Sequence, residues 1–387
     1  VSRAEAHNAG RAARNAGGRA ARDAGRAAAP PWPRRRPAVA APRLAARPLP
    51  PLYDDVVPDQ RKRVTIRDVA DATGLSPAAV SYALRGMQTS DETQERVRRA
   101  AAELGYEADP IARALVSGRT GTVGLLCGSL EDLWQQLLGV RISRGLLARD
   151  RYALLVDAGG DPGREQVLAR QLRDQRVDGL IVQPLDPSSQ QWAELGESLP
   201  VVSIGDALYG RRTVGEVLFD NQAGVNLALQ HLQALGHRRI AVLTSTPDRP
   251  AELHASTEAK RMSLDAVIVT AGQPLAAATE AALAVLGAPG GPTALFCFSD
   301  SIAYGAYAAA RSLGLSVPAD LSIMGYDNHP MSGLLTPGLT TVDWDIDEIV
   351  HGSVRLILTA IDGKTRHRRI LQQPHLCERA STGPPRS

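Results

Sequence analysis

Two folded parts of different class are predicted from this 387-residue sequence: a small all-α domain over residues 61–107, and an α/β body of doubly wound parallel sheets over residues 121–382. Three observations predict them. Short helical segments, each opened by a capping residue and stopped by a glycine, fill the first part. From Gly121 the pattern switches to short apolar runs alternating with amphipathic stretches. Charge is also uneven: residues 1–60 hold 11 Arg against 5 acids, residues 61–120 hold 10 Lys/Arg against 8 acids, and the remaining 23 Lys/Arg and 28 acids of the totals 44 and 41 fall in 121–387. A basic front end on a mildly acidic body implies a polyanionic partner for the front alone.

Residues 1–60 are Ala, Arg, Gly and Pro in loose repeats, such as NAGRAAR from Asn8 and PPWPRRRP from Pro30, with almost no large apolar side chain. Such a segment cannot bury enough surface to offset the entropy of ordering. A disordered tail is expected, or sequence lying upstream of the true start. It has no apolar stretch of the length a secretory signal needs. No run in the chain approaches the roughly 18–20 uncharged residues of a membrane span. Cys127, Cys297 and Cys377 form no C-x-x-C pair. A reducing cytoplasm is the expected setting, with no disulfide framework, no metal site and no cofactor.

The all-α part reads as three helices. Thr65, with Asp68 three residues on, caps the first, whose Val69 and Ala70 face inward before Gly74 stops it. Ser76-Pro77 is an N-cap followed by proline at the first helical position, with Val80 and Leu84 four apart on one face. Ser90, Asp91 and Glu92 open the third, whose Val97, Ala101 and Leu104 continue the inward stripe to Gly105. In the first pair, small Ala70 permits a close crossing, Gly74 permits a left-handed turn, and Val80 locks the second helix onto the first. These are the steric needs of a helix-turn-helix, which presents its second helix to the DNA major groove.

In the body, the runs 123–127, 152–156, 179–182, 201–204, 240–243, 294–298 and 321–326 read as buried parallel strands. Amphipathic helices between them imply right-handed βαβ crossovers, and strands in this number imply two sheets.

Several motifs together, Val64-Thr65-Ile66-Arg67-Asp68-Val69-Ala70, Gly74-Leu75-Ser76, Val80-Ser81, Glu103-Leu104-Gly105-Tyr106 and Ala112-Arg113-Ala114-Leu115, resemble the DNA-binding domain and hinge of the lactose/galactose-repressor (LacI-type) family of bacterial transcription regulators. The resemblance continues through Arg176-Val177-Asp178-Gly179, Leu235-Gly236-His237-Arg238-Arg239-Ile240, Gly325-Tyr326-Asp327 and Leu339-Thr340-Thr341-Val342, and covers roughly residues 63–382. It implies a helix-turn-helix domain, a hinge over 108–120, and a two-lobed periplasmic-binding-protein-like effector domain over 121–382, with a short tail over 383–387. It further implies a homodimeric repressor that binds a palindromic DNA operator and is controlled by a small sugar-like effector in the cleft between the lobes.

The same resemblance implies site residues. Pro77, Ala78 and Tyr82 are expected at base edges, Thr65 and Ser81 at phosphates, with Ser76, Arg85 and Arg113 in the same DNA-binding set. Leu115 is the expected minor-groove wedge of a hinge helix too short to be stable alone. At Tyr82 the family often has an arginine, so operator sequence does not carry over; a packing role is the alternative. For the effector, Trp134 stacks on a sugar or base, or is core; Ser299 and Asp300 follow the 294–298 run; Asp327 accepts ligand hydroxyls, or caps a turn. The ligand-gripping arginine has no clear counterpart: Arg249 and Arg261 are both candidate stand-ins, in a shortened stretch that lacks the usual Gly-aromatic helix opening, so a regulator with a degenerate effector site is the alternative.

Rival classes find little here. There is no G-x-S-x-G, P-loop, G-x-G-x-x-G after a strand, or His pair at metal spacing, so an enzyme is not expected. His231 and His237 read as solvated or capping. An exported sugar-binding protein would share the clamshell but lacks a place for the helix-turn-helix. With no leucine heptad after Leu376, a zipper-tailed tetramer is not expected.

Overall fold

The computed structural model describes residues 64–386 apart from Gln88, 107–117, Arg212, 246–249, Gln273 and 365–366. The expected tail, the hinge with Arg113 and Leu115, and Arg249 lie outside the described residues.

The all-α unit is built as its caps dictate. Helix α1 (Ile66–Thr73) starts where Asp68 accepts both the Thr65 amide (2.6 Å) and the Thr65 hydroxyl (2.7 Å), and stops at Gly74, whose φ of 67° suits a residue without Cβ. Helix α2 (Pro77–Leu84) starts where the Ser76 hydroxyl accepts the Ala79 amide at 3.2 Å. Helix α3 (Asp91–Leu104) has Ser90 as N-cap and Gly105 in the left-handed region. Val69, Ala70, Val80, Ala83, Val97 and Ala101 form their common core. Leu104 departs from the expected stripe: it is exposed, and Tyr106, folded back by its amide bond to the Ala101 carbonyl, packs on the core instead.

Lobe one has strands β1 (Thr122–Cys127), β2 (Tyr152–Asp157), β3 (Gly179–Val182), β4 (Val201–Gly205) and β5 (Gly215–Phe219), with helices α4 (Leu133–Leu147), α5 (Pro162–Asp174) and α6 (Gln191–Ser198). The chain then enters lobe two through α7 (Asn221–Ala234), β6 (Arg239–Thr244), α8 (Pro250–Arg261), β7 (Asp265–Thr270), α9 (Leu275–Leu286), β8 (Ala294–Cys297), α10 (Asp300–Ser312), β9 (Ser322–Tyr326) and β10 (Thr340–Asp343). Helix α11 (Ile346–Ile361) and strand β11 (Arg368–Gln372) return to lobe one, and β12 (His375–Cys377) goes back to lobe two.

The sheet orders are β11-β5-β4-β3-β1-β2 and β12-β10-β9-β8-β6-β7, parallel except for the β10–β12 pair. Inner strands such as β3, β8 and β9 are buried throughout, as expected of sheets covered on both faces. In lobe one, α4 and α11 cover one face, and Ala169, Leu172, Trp192 and Leu195 of α5 and α6 cover the other. In lobe two, α7 and α8 cover one face and the alanine-rich α9 and α10 the other.

Several elements were not anticipated. Strand β5 carries buried Glu216 in place of an apolar residue, and β11 reads Arg-Arg before its first apolar side chain. The two pair because Arg369 donates to Glu216 at 2.8 Å. The stretch after β6 contains a three-turn helix, α8, to which Ala and Glu, both good helix formers, contribute five of twelve residues. His237 is neither solvated nor capping. It is fully buried, its ring bonded to Thr293 Oγ1 (2.8 Å), Ser322 Oγ (3.0 Å) and the Gly383 carbonyl (2.9 Å).

Candidate functional site

Two places concentrate exposed or unsatisfied chemistry. The first is the outer face of α2. Pro77, Ala78, Ser81, Tyr82 and Arg85 recur at helical spacing along one side, and all but half-buried Ser81 are exposed. Val80 and Ala83 occupy the opposite side and are buried. The Arg85 guanidinium donates to the Ser81 carbonyl (2.9 Å) and sits 5.2 Å from the centre of the Tyr82 ring, so the helix presents a phenol and a guanidinium as one stacked unit. Thr65 and Ser76, also exposed, mark the N-termini of α1 and α2, where helix dipoles favour an anion. The Thr65 amide and hydroxyl both donate to the Asp68 carboxylate.

The second place is a cavity of about 510 Å³ at the carboxyl ends of both sheets, where ligands bind in doubly wound folds. Lobe one contributes Asp132, Trp134, Gln135 and Gln183; lobe two contributes Thr244, Phe298, Tyr326 and Asp327; the crossings between lobes contribute Phe219, Asp220, Asn221 and Trp344. The aromatic rings form one connected group. Phe219 stacks on Trp344 (centroids 5.0 Å, 20° between planes), Trp134 meets Phe219 edge-on at 5.8 Å, and Tyr326 meets Trp344 at 5.4 Å. Close packing here requires Gly224 in α7, since a Cβ there would collide with the Tyr326 hydroxyl and the Trp344 ring.

Trp134 Nε1, Trp344 Nε1 and Gln183 Oε1 are buried and have no hydrogen-bond partner in the protein, and all three residues line the cavity. A buried polar atom left without a partner costs about 1–3 kcal/mol, so each of these three would gain from a hydrogen-bonding group in that space. No Arg, Lys or His is among the described lining residues.

Carboxylates set the electrostatics. Asp132 caps α4 by accepting the Trp134 amide (2.9 Å), and its burial pushes its pKa up to about 6. Asp327 is raised well above the usual carboxylate range by burial, then by Asp132 and Asp300. Its φ of 112°, followed by Asn328 at 51°, is a strained backbone held in place by its surroundings. Asn328 donates to Asp343 (2.9 Å) and accepts from Arg379 (2.6 Å), and the Asp327 amide donates to the Val342 carbonyl (2.7 Å).

Of the expected effector residues, Trp134 and Asp327 line this cavity. Ser299 and Asp300 do not. The Ser299 hydroxyl caps α10 by accepting the Ile302 amide (3.2 Å). The Asp300 carboxylate is enclosed by the Ser332 hydroxyl (2.5 Å), the Thr341 hydroxyl (2.7 Å) and the His329 amide (2.8 Å), and burial raises its pKa to about 6. Asp300 therefore braces the loop that carries Asp327; Gly325 has no side chain because a Cβ would strike that carboxylate. Arg261 is turned to solvent and paired with Glu258. Phe219, Trp344, Gln183, Asp132 and Asn221 went unread. One signal was available: the chain has only three phenylalanines, and all of them, Phe219, Phe296 and Phe298, belong to this aromatic group.

Comparison with known proteins places both parts of the chain in a family. Residues 65–109 match the model of bacterial regulatory proteins of the lacI family, and residues 229–382 match that of the periplasmic binding protein-like domain. The ribose operon repressor of Haemophilus influenzae is 31% identical over 324 residues, 81% of this chain and 96% of that protein. The HTH-type transcriptional repressor PurR of Aliivibrio salmonicida is 30% identical over 82% of this chain and 98% of its own length. In fold, a crystal structure of the lac repressor dimer bound to operator and the anti-inducer ONPF superposes with a TM-score of 0.72 over 83% of this chain and all of that one, at 24% identity. Two-domain matches in the same order, along nearly the full length of these repressors, mean that the chain belongs to the LacI family of DNA-binding transcription regulators.

Proposed function

We propose that this regulator is a homodimeric repressor of a palindromic operator, released or engaged by a small, uncharged, polyhydroxylated effector, a sugar or nucleoside, held in the interlobe cavity. The observation that carries the effector class is the set of buried, unpartnered Trp134, Trp344 and Gln183 polar atoms facing one aromatic-walled space. Indole N–H groups and carboxylates such as Asp327 bond hydroxyls, and aromatic faces stack on sugar rings or bases. The relatives' names, a ribose operon repressor among them, support the same class.

In this reading residues 61–107 read DNA through Pro77, Ala78, Tyr82 and Arg85, with Thr65, Ser76 and Ser81 at phosphates. Residues 108–120 are the hinge, where Arg113 supports the backbone contact and Leu115 is the wedge, and 121–382 sense the effector. Dimerisation is supported by apolar side chains exposed along the outer edge of each lobe: Val140, Leu147, Tyr152 and Leu155 in lobe one, Val267 and Leu275 in lobe two. The chain works by binding and not by catalysis, in the cell interior where its DNA lies. Among the described residues no helix is long and apolar enough to cross a membrane.

The test is selection of operators from random duplex DNA, followed by binding in the presence of a panel of sugars and nucleosides. A palindrome whose affinity changes with one compound is the expected result. No enriched sequence would end the operator reading, and a palindrome indifferent to neutral compounds but sensitive to phosphorylated or carboxylated ones would overturn the effector class.

A further inference from the structure

Lobe one is electrically polarised along its strands. Its carboxyl-end loops, toward the cavity, carry Asp132, Asp186, Asp206 and Asp220. Its amino-end turns carry exposed Arg119, Arg149, Arg176, Lys364 and Arg368. Arg151 is engaged with buried Asp178 (3.2 Å) and Arg119 reaches Asp362 (3.6 Å), whereas Arg149, Arg176, Lys364 and Arg368 have no ion pair among the described residues. Two grooves that share Ala360 run across this end. One, of about 350 Å³, is lined by Arg119, by Arg173, which is paired with Asp174, by Asp178 and by unpaired Arg176; the other, of about 600 Å³, by Arg355, Lys364 and Arg368. Cations left unneutralised and side by side repel one another, so the face suits a partner of opposite charge.

The same face anchors the linker to the three-helix unit. Asp178 accepts the amides of Thr120 (2.7 Å) and Gly121 (2.9 Å), and the Thr120 hydroxyl donates to the Arg176 carbonyl at 3.0 Å. Between Tyr106 and Gly118 lie residues 107–117, a stretch that spans at most about 40 Å when fully extended. DNA held by α2 therefore stays within reach of these arginines. The chain's own residues 1–60 are a poor occupant, being themselves basic, with 11 Arg against 5 acids.

We propose that this basic end of lobe one is a second, sequence-independent DNA contact, taking backbone phosphates of the duplex that flanks the operator. The proposal rests on the operator-binding reading but adds a surface outside the helix-turn-helix and hinge. Phosphate contacts of this kind raise affinity for any flanking sequence and steepen the salt dependence.

The test compares the full chain with a variant carrying Arg149→Gln, Arg176→Gln, Lys364→Gln and Arg368→Gln, all exposed positions, after matched thermal melts. Fluorescence anisotropy measures binding to the selected operator in two duplexes, one ending at the half-sites and one extended by about ten base pairs on each side, from roughly 50 to 200 mM salt. The parent is expected to bind the extended duplex several-fold tighter, with a log–log salt slope steeper by about 0.9 per added phosphate contact. The variant is expected to bind both duplexes alike, at the parent's short-duplex affinity. A variant that keeps the flank-dependent gain, a parent that shows none, or a loss equal on both duplexes overturns the proposal, leaving the face to a partner other than DNA. A parent with no sequence-specific binding on either duplex would instead sink the operator reading, and this proposal with it.

Discussion

The backbone amide of Leu133 donates to the Ser301 hydroxyl at 3.2 Å, joining the first turn of α4 in lobe one to the first turn of α10 in lobe two. The same hydroxyl also bonds Asp132, the cap of α4. This link holds the lobes together beside the cavity, so it contributes to any closed, ligand-holding arrangement. Ser301→Ala is expected to weaken effector binding about fivefold, the equivalent of one hydrogen bond of roughly 1 kcal/mol. Titration followed by tryptophan fluorescence, with Trp134 next to the link, reads it; an unchanged Kd would show that the bond adds nothing to closure.

Asp132 gives the protein a pH dependence of defined sign. Burial pushes its carboxyl from an ordinary value near 3.8 up to about 6, so the folded state binds the proton more tightly. Stability from this group is fully present below about pH 4 and is lost as pH rises through 6, a change of roughly 3 kcal/mol. His237, lowered by burial, acts in the opposite sense, its contribution present above 6.5 and lost on acidification. Asp132→Asn retains a good N-cap and removes the titration while leaving His237 in place. The difference in Tm between variant and parent should therefore grow in the variant's favour from pH 4.5 to pH 7.5; a difference independent of pH would refute the assignment.

Asp327 carries the most specific polar contact proposed for the effector. Asp327→Asn keeps the size of the side chain and a residue type that tolerates positive φ. Loss of a buried hydrogen bond is worth about 0.5–1.5 kcal/mol, so Kd should rise severalfold, read by calorimetry once an effector is in hand. Unchanged affinity would remove Asp327 from the ligand contacts.

Tyr82 and Arg85 should act as a pair on DNA because the guanidinium lies over the ring. Tyr82→Ala and Arg85→Ala are each expected to weaken operator binding by about 1–3 kcal/mol. Combined, they should cost less than the sum, by about 0.5–1 kcal/mol. Strict additivity in operator Kd would mean that the stacked arrangement has no part in recognition.

The helix-turn-helix was legible in the sequence because its determinants are local. Thr65 with Asp68, Gly74, and Ser76-Pro77 each fix a cap or a turn within four residues. Leu104 was misread because helical periodicity cannot tell where a chain folds back, and Tyr106 took its place. The cavity was only half legible. Trp134 and Asp327 follow strands legible as apolar runs, whereas Phe219 ends β5 and Trp344 follows β10, two strands with no such run, at passages between the lobes. Ser299 and Asp300 occupy a similar sequence position after β8, yet capping and burial claim their oxygens first. Nothing in a linear pattern distinguishes a carboxylate braced by Ser332 and Thr341 from one facing solvent.

Of the three passages between lobes, after β5, after β10 and after β11, the first and third are tied where the Asp220 amide donates to the Gln372 carbonyl at 3.1 Å. Neither lobe is a continuous piece of chain. Lobe one lacks its covering helix α11 and its edge strand β11 until the residues after Asp345 have been made. On the ribosome, the DNA-reading helices can fold hundreds of residues before the sensor does. A truncated product would then hold a DNA-binding head with no switch attached.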